Sequence, residues 1–332
     1  METKKNKSSI INAVNWNIEY DNFTHKFYQQ NISQMWTPDE IPVSKDIKCW
    51  KITLTEEEKE VYKKVLVFLT VLDTQQGCNN LPSLILNIDN LQQKAVLGFM
   101  DMMEHIHAKS YSTIFMTILS NKEINELFDY ADKERLIQEK AATIDKYFIS
   151  IVNKNAPKKD VYLAMVASCM LEYFLFYTGF FYPLYLAGHG KMVASGEIIF
   201  LIIRDEILHG AFVGLLAKNL YKTLSESDKE YVDKEFQNIT NTLVALETEW
   251  TKKLFTKLGL VDKVLAFMKH NLNRIYKIFE KPQPYENQVI DPIVEKYMKN
   301  ITIQHDFFST KGNTYFKSTT PVELDDDETF EL

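Results

Sequence analysis

MDMMEHIHAKSYS at residues 100–112 and LIIRDEILHGAF at residues 201–212 each carry Glu-x-x-His on a run that reads as helix: Glu104 with His107, and Glu206 with His209. At positions i and i+3 two side chains leave the same face of a helix, so each pair can grip one metal ion. One Glu-x-x-His alone says little, because a helix of this length carries one by chance and such residues commonly face solvent. His105 neighbours the first pair but falls on a different face and is left out.

Working outward, each pair is preceded by a helix with a lone carboxylate in an apolar setting. Asp73 lies in FLTVLDTQQ (68–76), 31 positions before Glu104, and Glu172 lies in CMLEYFLF (169–176), 34 before Glu206. The chain therefore reads carboxylate, ExxH, carboxylate, ExxH. That is the ligand set of a dinuclear carboxylate site inside a helix bundle: one carboxylate from each of two helices and one ExxH from each of the others. Oxygen-rich donors with one imidazole per metal suit iron or manganese. Four carboxylates also bring four negative charges, which two divalent cations neutralise. Without metal such a cluster in an apolar core is very costly. Tyr111, four residues after His107, stacks one turn from that ligand; read by itself it is more often a core-packing tyrosine.

The rest of the chain agrees with an all-α fold. Of 332 residues only 10 are Gly and 9 Pro, which argues for long helices and against a β-sandwich or a nucleotide-binding parallel sheet. Thr55 followed by Glu56, Glu57 and Glu58 is a capping box that opens a helix with Val61, Val65, Phe68, Leu69 and Leu72 on its apolar face. Further helices are expected at roughly 89–120, 123–153, 158–187, 192–221, 226–257 and 259–280, with breaks at Pro82, Pro157 and the Gly188–Gly190 stretch. Residues 1–50, polar and aromatic with Pro38 and Pro42, read as an irregular arm laid over the core. Residues 164–188 are long enough to span a bilayer but carry Glu172 mid-segment, so they read as a buried helix of a large bundle.

A net charge of −7 leaves no basic footprint for nucleic acid. Cys49, Cys78 and Cys169 are scattered and odd in number, which fits a reducing cytoplasm better than a disulfide framework. No apolar stretch follows the charged N-terminus, so no secretory signal is visible. After about His305 the sequence turns polar, acidic and aperiodic, and reads as a flexible tail.

Together these residues resemble the small subunit of class I ribonucleotide reductase. The matching segments run almost end to end: QMWTPDEIPVSKDI (34–47), LTVLDTQQ (69–76), MEHIHAKSYS (103–112), LEYFLFYTGF (171–180), LIIRDEILHG (201–210), HDFFSTKGNTY (305–315) and the acidic-aromatic C-terminus. HAKSYS around the tyrosine, with Gly210 directly after His209, is most similar to the class Ib branch. The resemblance implies a ferritin-like helical domain with its arm over 1–305 and a docking tail over 306–332. It implies two manganese or two iron ions held by Asp73, Glu104, His107, Glu172, Glu206 and His209, and a stable radical on Tyr111. It further implies an apolar pocket of Phe176, Phe180 and Ile202, and a radical path from Trp36 through Asp205 and His107 that Tyr315 carries across the subunit interface. The partners it implies are the large catalytic subunit, docked through VELDDDETFEL (322–332), a second copy of the chain in a homodimer, and a flavodoxin-like activating protein. Some members of the family lack the metal-binding carboxylates or the tyrosine; this sequence keeps all of them.

Two other functions use the same donor set. A diiron monooxygenase or desaturase would bind its substrate beside the metals, and a ferritin-like protein would store iron. Tyr111 one turn from a ligand and the docking-type tail favour the radical subunit. With no Gly-rich phosphate loop and no cysteine pair for substrate reduction, the chemistry on the nucleotide belongs to another chain.

Overall fold

Four helices close a ring around the molecule's centre. In this computed structural model, which describes residues 12–296, α2 (Glu56–Gln75) packs on α4 (Leu91–Ile118), α4 on α9 (Val193–Tyr221), α9 on α8 (Phe176–Gly188), and α8 back on α2. Helix α7 (Lys158–Met170) runs into α8 through one widened turn, Leu171–Leu175. No strand occurs among the described residues. An outer layer covers the ring: α1 (Thr24–Ser33) lies over α4 and α9, α5 (Asn121–Lys133) and α6 (Arg135–Ile149) over α2, and α10 (Glu226–Phe255) over α6 and α7. Helix α11 (Val261–Ile278) covers α8 and the widened turn, and the short α3 (Leu81–Leu86) packs on α4.

The helix ends follow local chemistry. Glu58 N donates to Thr55 Oγ1 at 3.2 Å and Thr55 N donates to Glu58 Oε2 at 2.9 Å, the reciprocal capping box read from the sequence. Asn90 caps α4, and Ser120 with Glu123 caps α5. Helix α9 begins after Met192, whose φ of 51° is left-handed, and has no cap of its own. Asp46 from the N-terminal arm supplies one, accepting from Ala194 N, Ser195 N and Ser195 Oγ at 3.1, 2.7 and 2.7 Å. The arm thus anchors the helix that carries one of the two Glu-x-x-His pairs.

Three expectations need correcting. The single helix expected at 123–153 is two, because Glu134 is extended; its carboxylate caps Leu136 N and is held by Lys253 at 2.6–2.8 Å. The break expected at Pro82 is absent: α2 continues through a wide turn at Gln76–Asn80 into α3, where the proline sits in the first turn and needs no N–H. The arm is less irregular than its prolines suggest, since it holds α1 and short helical turns at Pro38–Glu40 and Val43–Asp46. The apolar stretch behaves as expected. Lys158–Gly188 is long and apolar enough to cross a membrane, but its most apolar window is wholly buried inside the bundle. Cys49, Cys78 and Cys169 are all free. The tail over 306–332, with Tyr315, lies outside the described residues.

Candidate metal centre

The ring of helices brings the six singled-out side chains to one place. Asp73 comes from α2, Glu104 and His107 from α4, Glu172 from the widened turn, and Glu206 and His209 from α9, all fully buried. Their donor atoms form two quartets, each within 4.8 Å: Asp73, Glu104, His107 and Glu206, then Glu104, Glu172, Glu206 and His209. Glu104 and Glu206 belong to both. Two carboxylates common to two four-donor groups are what a pair of bridged metal ions needs.

The widened turn has a purpose in this geometry. Leu171–Leu175 is a π-turn, which inserts a residue and rotates the downstream helix face by roughly 100° relative to a straight α-helix. Every residue from 161 to 184, Glu172 included, is buried. Spacings counted as straight helix fail across it, yet Phe176, Phe180 and Ile202 are all fully buried, with the two phenylalanine rings stacked at 5.9 Å.

A hydrogen bond on the far nitrogen turns Nδ1 of His107 to the cluster. His107 Nε2 lies 3.1 Å from Asp205 Oδ2, while its Nδ1 faces Glu206 Oε1 at 3.0 Å and Asp73 Oδ1 at 3.2 Å. His209 Nδ1 faces Glu104 Oε1 at 2.8 Å and Glu206 Oε2 at 3.0 Å. Asp205 is itself held by Trp36 Nε1, donating to Oδ2 at 2.7 Å, and by Gln34 Nε2, donating to Oδ1 at 2.9 Å. The Trp36 ring lies nearly parallel to His107, with centroids 6.1 Å apart. Trp36, Asp205 and His107 therefore form one buried chain from the arm to the cluster.

Sequence reasoning missed a second chain. Gln76 Nε2 donates to Glu172 Oε1 at 2.6 Å and to Ser168 Oγ at 2.9 Å, and Asn80 Nδ2 donates to Gln76 Oε1 at 3.0 Å, all buried. Gln76 falls within the motif LTVLDTQQ, but nothing in an amide's sequence position says that it is buried. Gln34 was missed for the same reason. His105 is exposed, as its face predicts.

The electrostatics test whether metal fits. Both oxygens of Asp73, Glu104 and Glu206, Oε2 of Glu172, and Nδ1 of both histidines are buried without a hydrogen-bond partner among the described residues. An isolated ion in a dry core costs on the order of 20 kcal/mol in the idealised limit and still several after relaxation. A domain's whole stability is only about 5–15 kcal/mol, so the cluster cannot stand fully ionised and empty. It must take up protons or cations. Burial accordingly pushes Asp73 up to about 7 and Glu206 up to about 8, and raises Glu172 well above the carboxylate range. Burial would raise Glu104 too, but charge on His209 and His107 outweighs it and holds Glu104 below its usual value. Burial opposes charge on the histidines as well, yet Glu206 and Asp205 raise His107, and Glu104 raises His209. Two divalent cations would replace those protons, and the donor set fits them.

Tyr111 is fully buried, and its hydroxyl feels first burial and then the carboxylates Asp73, Glu206 and Glu104, which together raise its pKa well above the usual value. The phenol is therefore neutral, and the carboxylates of Asp73, Glu206 and Glu104 stand around it.

Comparison with known proteins agrees with this geometry. The family model "Ribonucleotide reductase, small chain" matches residues 13–292. The ribonucleoside-diphosphate reductase subunit beta of Bacillus phage SPbeta is 42% identical over 97% of this chain and 98% of its own length, and that of Bacillus subtilis (strain 168) is 42% identical over 98% of each. The crystal structure of the dimanganese(II) NrdF of Streptococcus sanguinis, 31% identical, superposes with a TM-score of 0.81 over 87% of this chain and all of that one. Fold, buried donor set and full-length similarity lead to one assignment: the chain belongs to the small-chain family of class I ribonucleotide reductase and is the beta subunit of a ribonucleoside-diphosphate reductase.

Proposed function

We propose that this subunit holds a pair of metal ions between Asp73, Glu104, His107, Glu172, Glu206 and His209, and stores an oxidising equivalent as a radical on Tyr111. The observation that carries the reading is the pair of quartets sharing Glu104 and Glu206, with Tyr111 fully buried one helical turn from His107 on α4. When bound, the metal pair supplies the oxidising power. The donor set suits iron or manganese alike, and the dimanganese(II) state of the Streptococcus relative favours manganese.

The residues have separate tasks. Tyr111 gives up one electron, and its phenolic proton passes towards Asp73. The buried rings of Phe176 and Phe180, with Ile202, keep water from the site and so preserve the radical. Asp205 keeps His107 Nδ1 turned to the cluster by taking Nε2, and orients Trp36 through the same oxygen. An electron entering from Trp36 can then be matched by a proton moving along Asp205 and His107, so that no net charge builds up in the core. We infer that the radical leaves by this path and through Tyr315 to a large catalytic subunit, which reduces ribonucleoside diphosphates to deoxyribonucleotides. Residues 322–332 dock there: Phe330 and Leu332 provide apolar anchors and the acidic run steers the encounter. A homodimer and a flavodoxin-like activating protein complete the assembly.

The test is nucleotide reduction by the reconstituted pair of subunits. Tyr111→Phe should abolish turnover while metal content stays at two per chain. Turnover unchanged by that substitution would overturn the radical role.

A further inference from the structure

Three tyrosines, not one, stand close to the cluster. Tyr111 is on α4, while Tyr173 and Tyr177 lie beside Glu172, and all three are buried. Each phenol can lose an electron, so something must decide which one does.

The surroundings differ sharply. The rings of Tyr173 and Tyr177 lie 6.1 Å apart, and the Arg274 guanidinium of α11 sits 5.0 Å from one centroid and 5.3 Å from the other. The arrangement is built rather than incidental. Tyr173 is locked by its hydroxyl on Ile207 O at 2.5 Å, and its ring occupies space that only Gly210 leaves, since a Cβ there would lie 2.3 Å from the ring. Tyr111 instead faces carboxylates.

We propose that Arg274 confines oxidation to Tyr111 by holding a positive charge over Tyr173 and Tyr177, which makes both hard to oxidise. This rests on the reading of Tyr111 as the radical-bearing residue. Forming a phenoxyl radical removes one electron and one proton from a phenol; a metal pair held by the six residues would accept the electron, with dioxygen or a reduced-oxygen species as the ultimate oxidant. A guanidinium over the ring face attracts the neutral ring but opposes the positive hole left by the departing electron. The proton is blocked as well. At Tyr173 the hydroxyl donates to a backbone carbonyl, too weak a base to keep the proton. At Tyr177 the neighbouring guanidinium has no acceptor to take it. Tyr111 instead lies among the carboxylates of Asp73, Glu206 and Glu104, which can receive its proton. Arg274 acts through other residues, so it is a positioning residue and not a catalytic one.

The experiment loads each protein with iron(II), exposes it to dioxygen and records the EPR spectrum beside a metal count. Tyr111→Phe alone should show no tyrosyl signal. Tyr111→Phe with Arg274→Met should show a new one, which disappears when Tyr173 and Tyr177 are also changed to Phe. Arg274→Lys in the Tyr111→Phe background, which restores the charge, should stay silent. With Tyr111 intact, Arg274→Met should shift the partition of radical away from Tyr111 by roughly thirtyfold, the change a desolvated cation–π contact carries. A silent Tyr111→Phe/Arg274→Met protein with its full metal content would overturn the proposal. If the methionine variant does not bind metal, Arg274→Gln carries the same test. Absence of any Tyr111 signal in the unsubstituted, fully loaded protein would instead overturn the radical reading itself.

Discussion

Asp205 offers one oxygen to both Trp36 and His107 and the other to Gln34, so every acceptor position that matters is used. Asp205→Asn would leave one acceptor oxygen and set an N–H₂ group against donors. Loss of such a partner typically costs 10–100-fold in metal affinity. Titration of the variant with manganese(II) or iron(II) should show a loss of that size, and unchanged affinity would mean that Asp205 does not orient His107. At this scale the sequence is legible where charge and spacing coincide. Two ExxH pairs and two lone carboxylates in apolar runs define the cluster without any structure. Trp36 and Asp205 are legible only through family resemblance, because contacts across 169 and 98 positions leave no local pattern. Gln34 and Gln76 are not legible, since an amide carries no charge whose burial would be anomalous.

Helix ends and turns belong to the scale of the element. Asp46 caps α9 from the arm with three hydrogen bonds, so Asp46→Ala should destabilise the protein by about 1–2 kcal/mol, the upper range for a helix cap. Urea denaturation would measure it, and a change below about 0.5 kcal/mol would show that the arm does not hold α9. Gly210→Ala places a methyl group against the locked Tyr173 ring, and overpacking of that kind costs about 1–3 kcal/mol. Reduced thermal stability with lower metal occupancy is the expected result, because α9 would be displaced from the widened turn. Local signals made several elements readable: the capping box at Thr55 and Glu58 places the start of α2, and α4 and α9 fall within two residues of their expected bounds. The π-turn and the break at Glu134 were not readable. Neither contains Gly or Pro, and both are imposed by packing against distant helices, as Lys253 on Glu134 illustrates.

For the whole molecule, the cluster's charge links folding to pH and to metal. In the metal-free fold Asp73 and Glu206 keep protons up to about 7 and about 8, against ordinary values of 3.8 and 4.5. The folded state then binds more protons than the unfolded chain across that window, so metal-free stability must fall as pH rises through it. The raised histidines act in the same direction. Melting of the metal-free protein should therefore drop between about pH 6 and pH 8.5, while the loaded protein, whose cations replace those protons, should lose little. A metal-free melting temperature that climbs over the same range would contradict this account of the cluster. The most direct test of the central claim is an EPR spectrum and a metal count on the loaded, oxidised protein, with Tyr111→Phe alongside. The account predicts two metals per chain in both proteins and a tyrosyl signal only where Tyr111 is present. Two metals with no tyrosyl signal in the unsubstituted protein, or a signal that survives Tyr111→Phe, would contradict it.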